Sequence, residues 1–240
     1  MPHPRGVSQR ELAAIVRNLK HAWFVAIALV VAACAATPGD KGSATQHKRD
    51  KLEGVPLVWK PTNQPGSLNV TEFAGAAEVK VQIDPVADTR QNPGLLGENR
   101  ERNTPRKVTT PDNVAAFVTD KFRLLIYQSG IDVVNSGATV IVRSDLRSFY
   151  VDELYTYRGD VRIGVTVIDP SGKVLWRGIA AGSMGRFGRS YKADNYYETL
   201  SDSLIDAVDN LLKNPGFLRS VSGQGATEQV QAIRKGTSLR

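Results

Sequence analysis

Apolar positions recur with two different periods between Val55 and Leu218, and both flanks of the chain are polar or rich in glycine and serine. Val55 to Trp59 is a short apolar run that predicts a strand. Glu78 to Asp84 alternates strictly, with Val79, Val81 and Ile83 on one face. That is the pattern of a half-buried strand, which Pro85 stops or confines to a sheet edge. Asp88 to Thr109 reads as a long polar loop. Thr110-Pro111-Asp112 then opens a helix, with Thr110 as the cap, Pro111 in the first turn and Asp112 near the positive end of the dipole. Val114, Phe117, Val118, Phe122, Leu125 and Ile126 supply its buried stripe, and Gly130 its left-handed end.

Ile131 to Val134 predicts a short strand, and Ala138 to Val142 another that can run on to Tyr150. Val161, Ile163, Val165 and Val167 alternate into the turn signal Asp169-Pro170-Ser171-Gly172, and Lys173 to Ala181 follows. Residues 161–181 therefore predict a hairpin. A last helix runs from about Asp194 to Leu212 on the stripe Leu200, Leu204, Ile205, Val208, Leu211 and Leu212. Asn214-Pro215-Gly216 ends it, and Phe217 and Leu218 are placed to dock back on the core. Strands come in runs rather than in alternation with helices, which predicts an α+β fold: a largely antiparallel sheet with two helices packed on one face. The chain shows no internal repeat.

The N-terminal flank changes the picture. Ala22 to Ala33 is uncharged and follows Arg17, Lys20 and His21. A basic segment, a short apolar stretch and small residues at its end form an export signal. Such a stretch rises only about 18 Å as a helix, against about 30 Å of hydrocarbon. Ser8-Gln9-Arg10-Glu11 fits a capping box ahead of it. The stretch ends in Val31-Ala32-Ala33-Cys34, which resembles the lipobox of bacterial lipoproteins. The resemblance implies cleavage between Ala33 and Cys34 and acylation of Cys34, so that residues 1–33 are a signal peptide and the palmitate-type acyl chains are the anchor. Two other readings of the stretch are an ordinary signal peptide ending at a chance cysteine and a short uncleaved anchor. Ala35 rather than Asp follows the cysteine, which by the enterobacterial sorting pattern implies the outer membrane, facing the periplasm. Residues 34–54 have almost no apolar content and read as a lipidated flexible stalk, residues 55–218 as the folded domain and residues 219–240 as a disordered tail.

Charge and chemistry narrow the function by exclusion. The net charge is +7, and removing the leader's four bases and one acid leaves +4. That surplus suits life beside an anionic membrane and forms no dense basic stripe for nucleic acid. The histidines are His3, His21 and His47, all outside the domain, and Cys34 is the one cysteine. The domain thus offers no Ser-His-Asp or Cys-His pair and no ordinary zinc ligand set. No cofactor or metal is expected. Ala181-Gly182-Ser183-Met184-Gly185 nearly matches a nucleophile elbow, but without a base it reads as a strand-ending turn. Gly185 to Ser190 is a loop in which Arg186 and Arg189 could contact phosphate. Asp145, Asp152, Glu153 and Asp160 lie among Arg143, Arg147, Arg158 and Arg162, the composition of cross-strand ion pairs on a solvated face. Tyr155 and Tyr157 are candidate interface anchors, and Asp88 with Arg90 a candidate pair closing the long loop.

Phe117 to Gly130, Asp152 to Val167, the Leu200 to Leu212 helix, the lipobox and Asp88-Thr89-Arg90 together make the region from Asp88 to Leu218 resemble the YajG-like family of bacterial lipoproteins. The longer stalk and the tail depart from it. The resemblance implies an outer-membrane lipoprotein in the periplasm, held in the membrane by its acyl anchor, and leaves the molecular role open. The expectation is a non-catalytic component that binds an envelope protein. The alternative is an accessory to lipid or lipopolysaccharide transport, which needs an apolar cavity between helices and sheet.

Overall fold

A computed structural model describes residues 51–64 and 79–222. The leader, Cys34, Glu78 and nearly all of the tail lie outside the described residues. Within them, three helices pack against an eight-stranded, mostly antiparallel sheet.

The sheet is built around two long strands. β5 (Val140–Leu154) and β6 (Thr156–Ile168) form a hairpin, and β7 (Val174–Gly182) pairs antiparallel with the far part of β6. The other edge of β5 receives three short strands in parallel, end to end: β1 (Val81–Ile83), β2 (Ala87–Asp88) and β3 (Leu95–Asn99). β4 (Arg106–Thr109) pairs antiparallel with β3, and β8 (Gly185–Arg186) with the start of β6. Expected alternation produces the long strands, but β5 carries an irregularity. Arg147 is an extra residue between Leu146 and Ser148, so Leu146 and Phe149 both face inward though three positions apart.

The helices cover the inward face. α1 (Val114–Gln128) buries Val114, Val118, Phe122, Leu125 and Ile126, as its spacing predicts. α2 (Ala193–Leu212) carries Leu200, Leu204, Ala207, Val208 and Leu211 into the core. It lies close to the strands because Gly159 and Gly182 have no side chain: a Cβ on Gly182 would overlap the backbone of Ser203 and Ala207, and one on Gly159 would overlap Ser203 Oγ. α3 (Pro215–Val221) brings Phe217 into an edge contact with Trp176 at 5.4 Å between ring centres.

Several expectations need correction. Val55 to Trp59 joins no ladder. Pro56 and Pro61 lack N–H groups, and several other amides of this strap, residues 55–63, use side chains instead. Leu57 N–H donates to Asp112 at 2.7 Å, Lys60 N–H to Ser201 at 3.0 Å, and Thr62 and Asn63 N–H groups to Asp202 at 2.8 and 3.0 Å. The fold also starts before residue 55, since Leu52 is buried and its carbonyl accepts from Thr109 N–H. The long polar loop contains β3 and β4. Asn113, not Thr110, caps α1 by accepting from Ala116 N–H at 3.0 Å, while Thr110 closes a local turn with Asp112. Ile131 to Val134 contributes a single bridge from Val133 to Val81. Asn214-Pro215 ends α2 and also starts α3, with the Asn214 side chain accepting from Gly216 and Phe217 N–H groups.

The close seat of α2 makes a quantitative prediction. Gly182→Ala forces the helix outward and lowers unfolding stability by about 2–3 kcal/mol. Urea unfolding followed by circular dichroism reads it; a change within experimental error contradicts the tight seat.

Candidate functional site

Three turns meet at one end of the sheet. The strand register brings them there: Asn99 pairs with Arg106 and Glu153, Leu154 with Thr156, and Tyr157 with Arg186. The β3–β4 turn (100–105), the β5–β6 turn at Tyr155 and the β8–α2 segment (187–192) are therefore neighbours.

Beneath these turns lies a buried polar layer. Glu153 is 1% exposed and accepts Tyr191 N–H at 2.7 Å and the Tyr196 hydroxyl at 2.6 Å. Burial first, and then the bond to this carboxylate, push the Tyr196 phenol far above its usual value, so it remains a neutral donor. Tyr157, whose phenol burial also raises, donates to the Arg189 carbonyl at 2.6 Å and accepts Lys192 N–H at 3.3 Å. Its ring meets Tyr196 edge-on. Tyr191 sits at φ +55°, donates to the Lys107 carbonyl at 3.0 Å and accepts Leu52 N–H at 3.1 Å. The Arg106 guanidinium lies 3.9 Å over the Tyr191 ring and donates to buried Asn99 at 2.9 Å. Asn99 in turn donates to the Ser190 hydroxyl at 3.2 Å.

Above this layer large side chains stand in solvent. Leu154, Tyr155 and Phe187 are 48%, 80% and 86% exposed. Tyr155 occupies φ +63°, a conformation that disfavours a residue with a side chain. Arg102, Arg158 and Arg189 are exposed, and their side chains make no hydrogen bond or ion pair among the described residues. The exposed acid at these turns, Glu101, is hydrogen-bonded to the Ser190 hydroxyl.

The sequence candidates divide sharply. Tyr155 is at the surface, but Tyr157 is buried and cannot serve as an anchor for a partner. Counting back from Val161 through Gly159 places Tyr157 on the inward parity of β6, and Phe149, Val151 and Glu153 share that parity on β5. Glu153 therefore does not belong with the solvated carboxylates. Asp145, Asp152 and Asp160 do, paired with Arg147 at 2.6 Å, Arg100 at 2.5 Å and Arg162 at 3.0 Å. Arg186 is occupied by Glu198, by Asp202 at 3.0 Å and by the Thr62 hydroxyl at 2.7 Å. A polar cleft of about 170 Å³ beside it is lined by Thr62, Asn63, Met184 and Asp202. Arg189 projects freely while its carbonyl is held by Tyr157 and Asn195. The Ser183 hydroxyl donates to the Gly159 carbonyl at 2.8 Å, as part of the turn that follows β7.

Asp88 and Arg90 pair with little exposure: Arg90 Nη2 and Nε lie 2.7 and 2.9 Å from the carboxylate. Arg90 also donates to the carbonyls of Pro93, Leu95 and Phe149, which closes the segment entering β3. Hydrogen bonding from Arg90 holds the Asp88 carboxyl below its ordinary value of 3.8. The helix–sheet interface holds an apolar crevice lined by Val81, Phe122, Ile126, Val142 and Phe217, too tight for a water molecule. Cys34 and Ala33 lie outside the described residues.

No family model matches the chain, and no curated protein matches it. Among solved structures it is similar to a DUF330 protein from Xanthomonas campestris, with TM-score 0.47, 10% identity and coverage of 73% of this chain and 98% of that one. It is similar also to the PelC dodecamer subunit of Paraburkholderia phytofirmans (TM-score 0.37, 16% identity, 62% and 92% covered). A third is a Caulobacter crescentus protein provisionally described as a lipoprotein (TM-score 0.33, 10% identity, 67% and 96% covered). None of these likenesses assigns a family, and the functional reading below rests on the chain's own residues.

Two predictions follow from the polar contacts. Removing Glu153 as Glu153→Ala orphans the Tyr196 hydroxyl and the Tyr191 amide and costs about 2–4 kcal/mol; limited proteolysis should then cut within 187–192 first. Asp88 contributes stability that is complete above its unfolded pKa and is lost as pH falls through the lower folded value. Asp88→Asn should therefore be less stable than wild type by about 2–3 kcal/mol at neutral pH, with the gap narrowing in acid below that range. Chemical unfolding across pH 2–7 tests this; a gap that stays constant contradicts it.

Proposed function

We propose that the chain is a non-catalytic cell-envelope lipoprotein, anchored through acyl chains on Cys34 and acting as a binding component of an envelope complex. The observation that carries it is the order of residues at the N-terminus: Arg17 and Lys20, then the short apolar stretch, then Val31-Ala32-Ala33-Cys34. More than one acyl chain is needed for stable anchoring, and lipoprotein processing supplies that at one residue. The described domain supports a binding role. The solvated carboxylates Asp145, Asp152 and Asp160 are separately paired with arginines, the buried carboxylates are consumed, Glu153 by Tyr191 and Tyr196 and Asp202 by Arg186, Thr62 and Asn63, and Ser183 is held by a carbonyl. Location in the outer membrane, facing the periplasm, belongs to the same proposal and rests on Ala35. A lipid carrier draws no support from the helix–sheet crevice, which has no room for an acyl chain.

Membrane fractionation with intact-mass analysis tests the anchor. Wild type should appear in the membrane fraction, beginning at Cys34 and carrying acyl mass, and Cys34→Ala should lose that mass and shift to the soluble fraction or keep its leader. A wild-type chain with unmodified Cys34 overturns the reading.

A further inference from the structure

The three turns that meet at the end of the sheet carry a feature that the fold does not need. Tyr155 holds a left-handed backbone, where glycine or asparagine would sit without strain, and spends that strain on an aromatic ring in solvent. Phe187 stands exposed at the same end, directly after Arg186, which pairs with Tyr157. Arg158 and Arg189, on the same turns, have no carboxylate partners among the described residues, whereas Arg162 on the same strand as Arg158 holds Asp160. Aromatic rings and arginines together at protruding turns match a bilayer interface, where the ring occupies the headgroup level and the guanidinium meets phosphate.

The anchor reading keeps the domain close to a membrane. Leu52 enters the fold beside β4, its N–H donating to the Tyr191 hydroxyl and its carbonyl accepting from Thr109 N–H. Cys34 lies eighteen positions before Leu52. Even fully extended, a chain of that length reaches no more than about 65 Å. A protein partner would call for a flat, close-packed patch, whereas separate side chains on three turns suit a fluid interface.

We propose that this end of the domain docks on the bilayer, with Tyr155 and Phe187 in the headgroup layer and Arg158, Arg189 and Arg102 on anionic lipid. The orientation relative to the anchor rests on the Cys34 reading; the affinity of the turns for anionic lipid does not. The test uses full-length protein on vesicles of phosphatidylethanolamine and phosphatidylglycerol, compared with phosphatidylcholine. An environment-sensitive dye is attached in Phe187→Cys and, as a control on the far part of β7, in Val174→Cys. The dye at 187 should shift to the blue and be quenched by lipid-borne quenchers on anionic vesicles, while the dye at 174 stays solvated. In the 187 background, Arg158→Ala with Arg189→Ala should reduce that quenching, the pair of cations accounting for about thirtyfold in local lipid affinity. Unchanged circular dichroism separates this loss from misfolding, and about 0.5 M salt should weaken the contact in the same direction.

Equal solvation at 187 and 174 on anionic vesicles overturns the proposal. So does shielding at 187 that follows protein concentration instead of lipid, which means self-association. Intact mass of the same preparation reports the anchor separately. Should Cys34 carry no lipid, the anchor reading fails, and the labels are read on Cys34→Ala by vesicle co-sedimentation. There, salt-sensitive binding through position 187 sustains the docking surface, and its absence removes it.

Discussion

The seat of α2 on β6 and β7 is the constraint on which the other contacts depend. Gly159 and Gly182 leave space where Ser203 and Ala207 touch the sheet, so helix and strands approach more closely than larger residues allow. That approach brings the Ser203 hydroxyl to Met184 N–H at 3.1 Å and Asp206 to Ser183 N–H at 2.9 Å, which fixes the turn between β7 and β8. β8 then delivers Arg186 to Glu198 and Asp202 on the same helix. Asp202 is also the acceptor for the strap at Thr62 and Asn63. A helix displaced by a methyl group would therefore disturb the sheet edge, the strap and the turn cluster together, because close-packed interiors transmit strain.

The same geometry sets how the arginines divide. Arg90, Arg100, Arg147, Arg162 and Arg186 each have a carboxylate in reach because a strand or helix presents one at the correct position. An exposed pair contributes only about 0–1 kcal/mol, so those on the solvated face add little to stability. Arg90 differs because its surroundings exclude water and three carbonyls take its remaining donors. It acts as a buried post that shapes the chain between β2 and β3.

Period and parity explain how much of this was legible in the sequence. The long strands, both main helices and the docking of Phe217 follow from apolar spacing, because each buries a continuous face. β3 escaped notice, since Leu95-Leu96-Gly97-Glu98-Asn99 lacks β-branched residues and places a buried Asn99 where a strand normally has an apolar residue. Asn99 is tolerated because Arg106 and Ser190 meet it, and Ser190 lies too far along the chain for local pattern to join it. The strap departs from its pattern for the opposite reason: Val55 to Trp59 has a strand's composition, but Pro56 within it and Pro61 just after it interrupt a ladder. At the turn cluster, parity within β5 and β6 already assigns Glu153 and Tyr157 to the interior, and their polar atoms disguise it. The exposure of Phe187 carries no comparable local signal, since only the pairing of β8 with β6 sets its neighbours.

Two tyrosines in left-handed conformation at one end of the sheet show how interior and surface are coupled there. Tyr191 is turned inward and bound at its amide by Glu153 and at its hydroxyl by Lys107 and Leu52. Tyr155 is turned outward. An apolar layer under these turns would pack equally well in several arrangements. A carboxylate with two donors and a guanidinium stacked on a ring accept few alternatives, because any slip leaves a buried polar group unpaired. Desolvation of Glu153 is thus offset by its hydrogen bonds and also holds the turns in one shape. Side chains displayed from a fixed framework lose less conformational entropy on contact than those on a loose loop. The buried polar layer therefore prepares the exposed rings and arginines above it for binding, although Glu153, Asn99 and its three tyrosines are themselves buried.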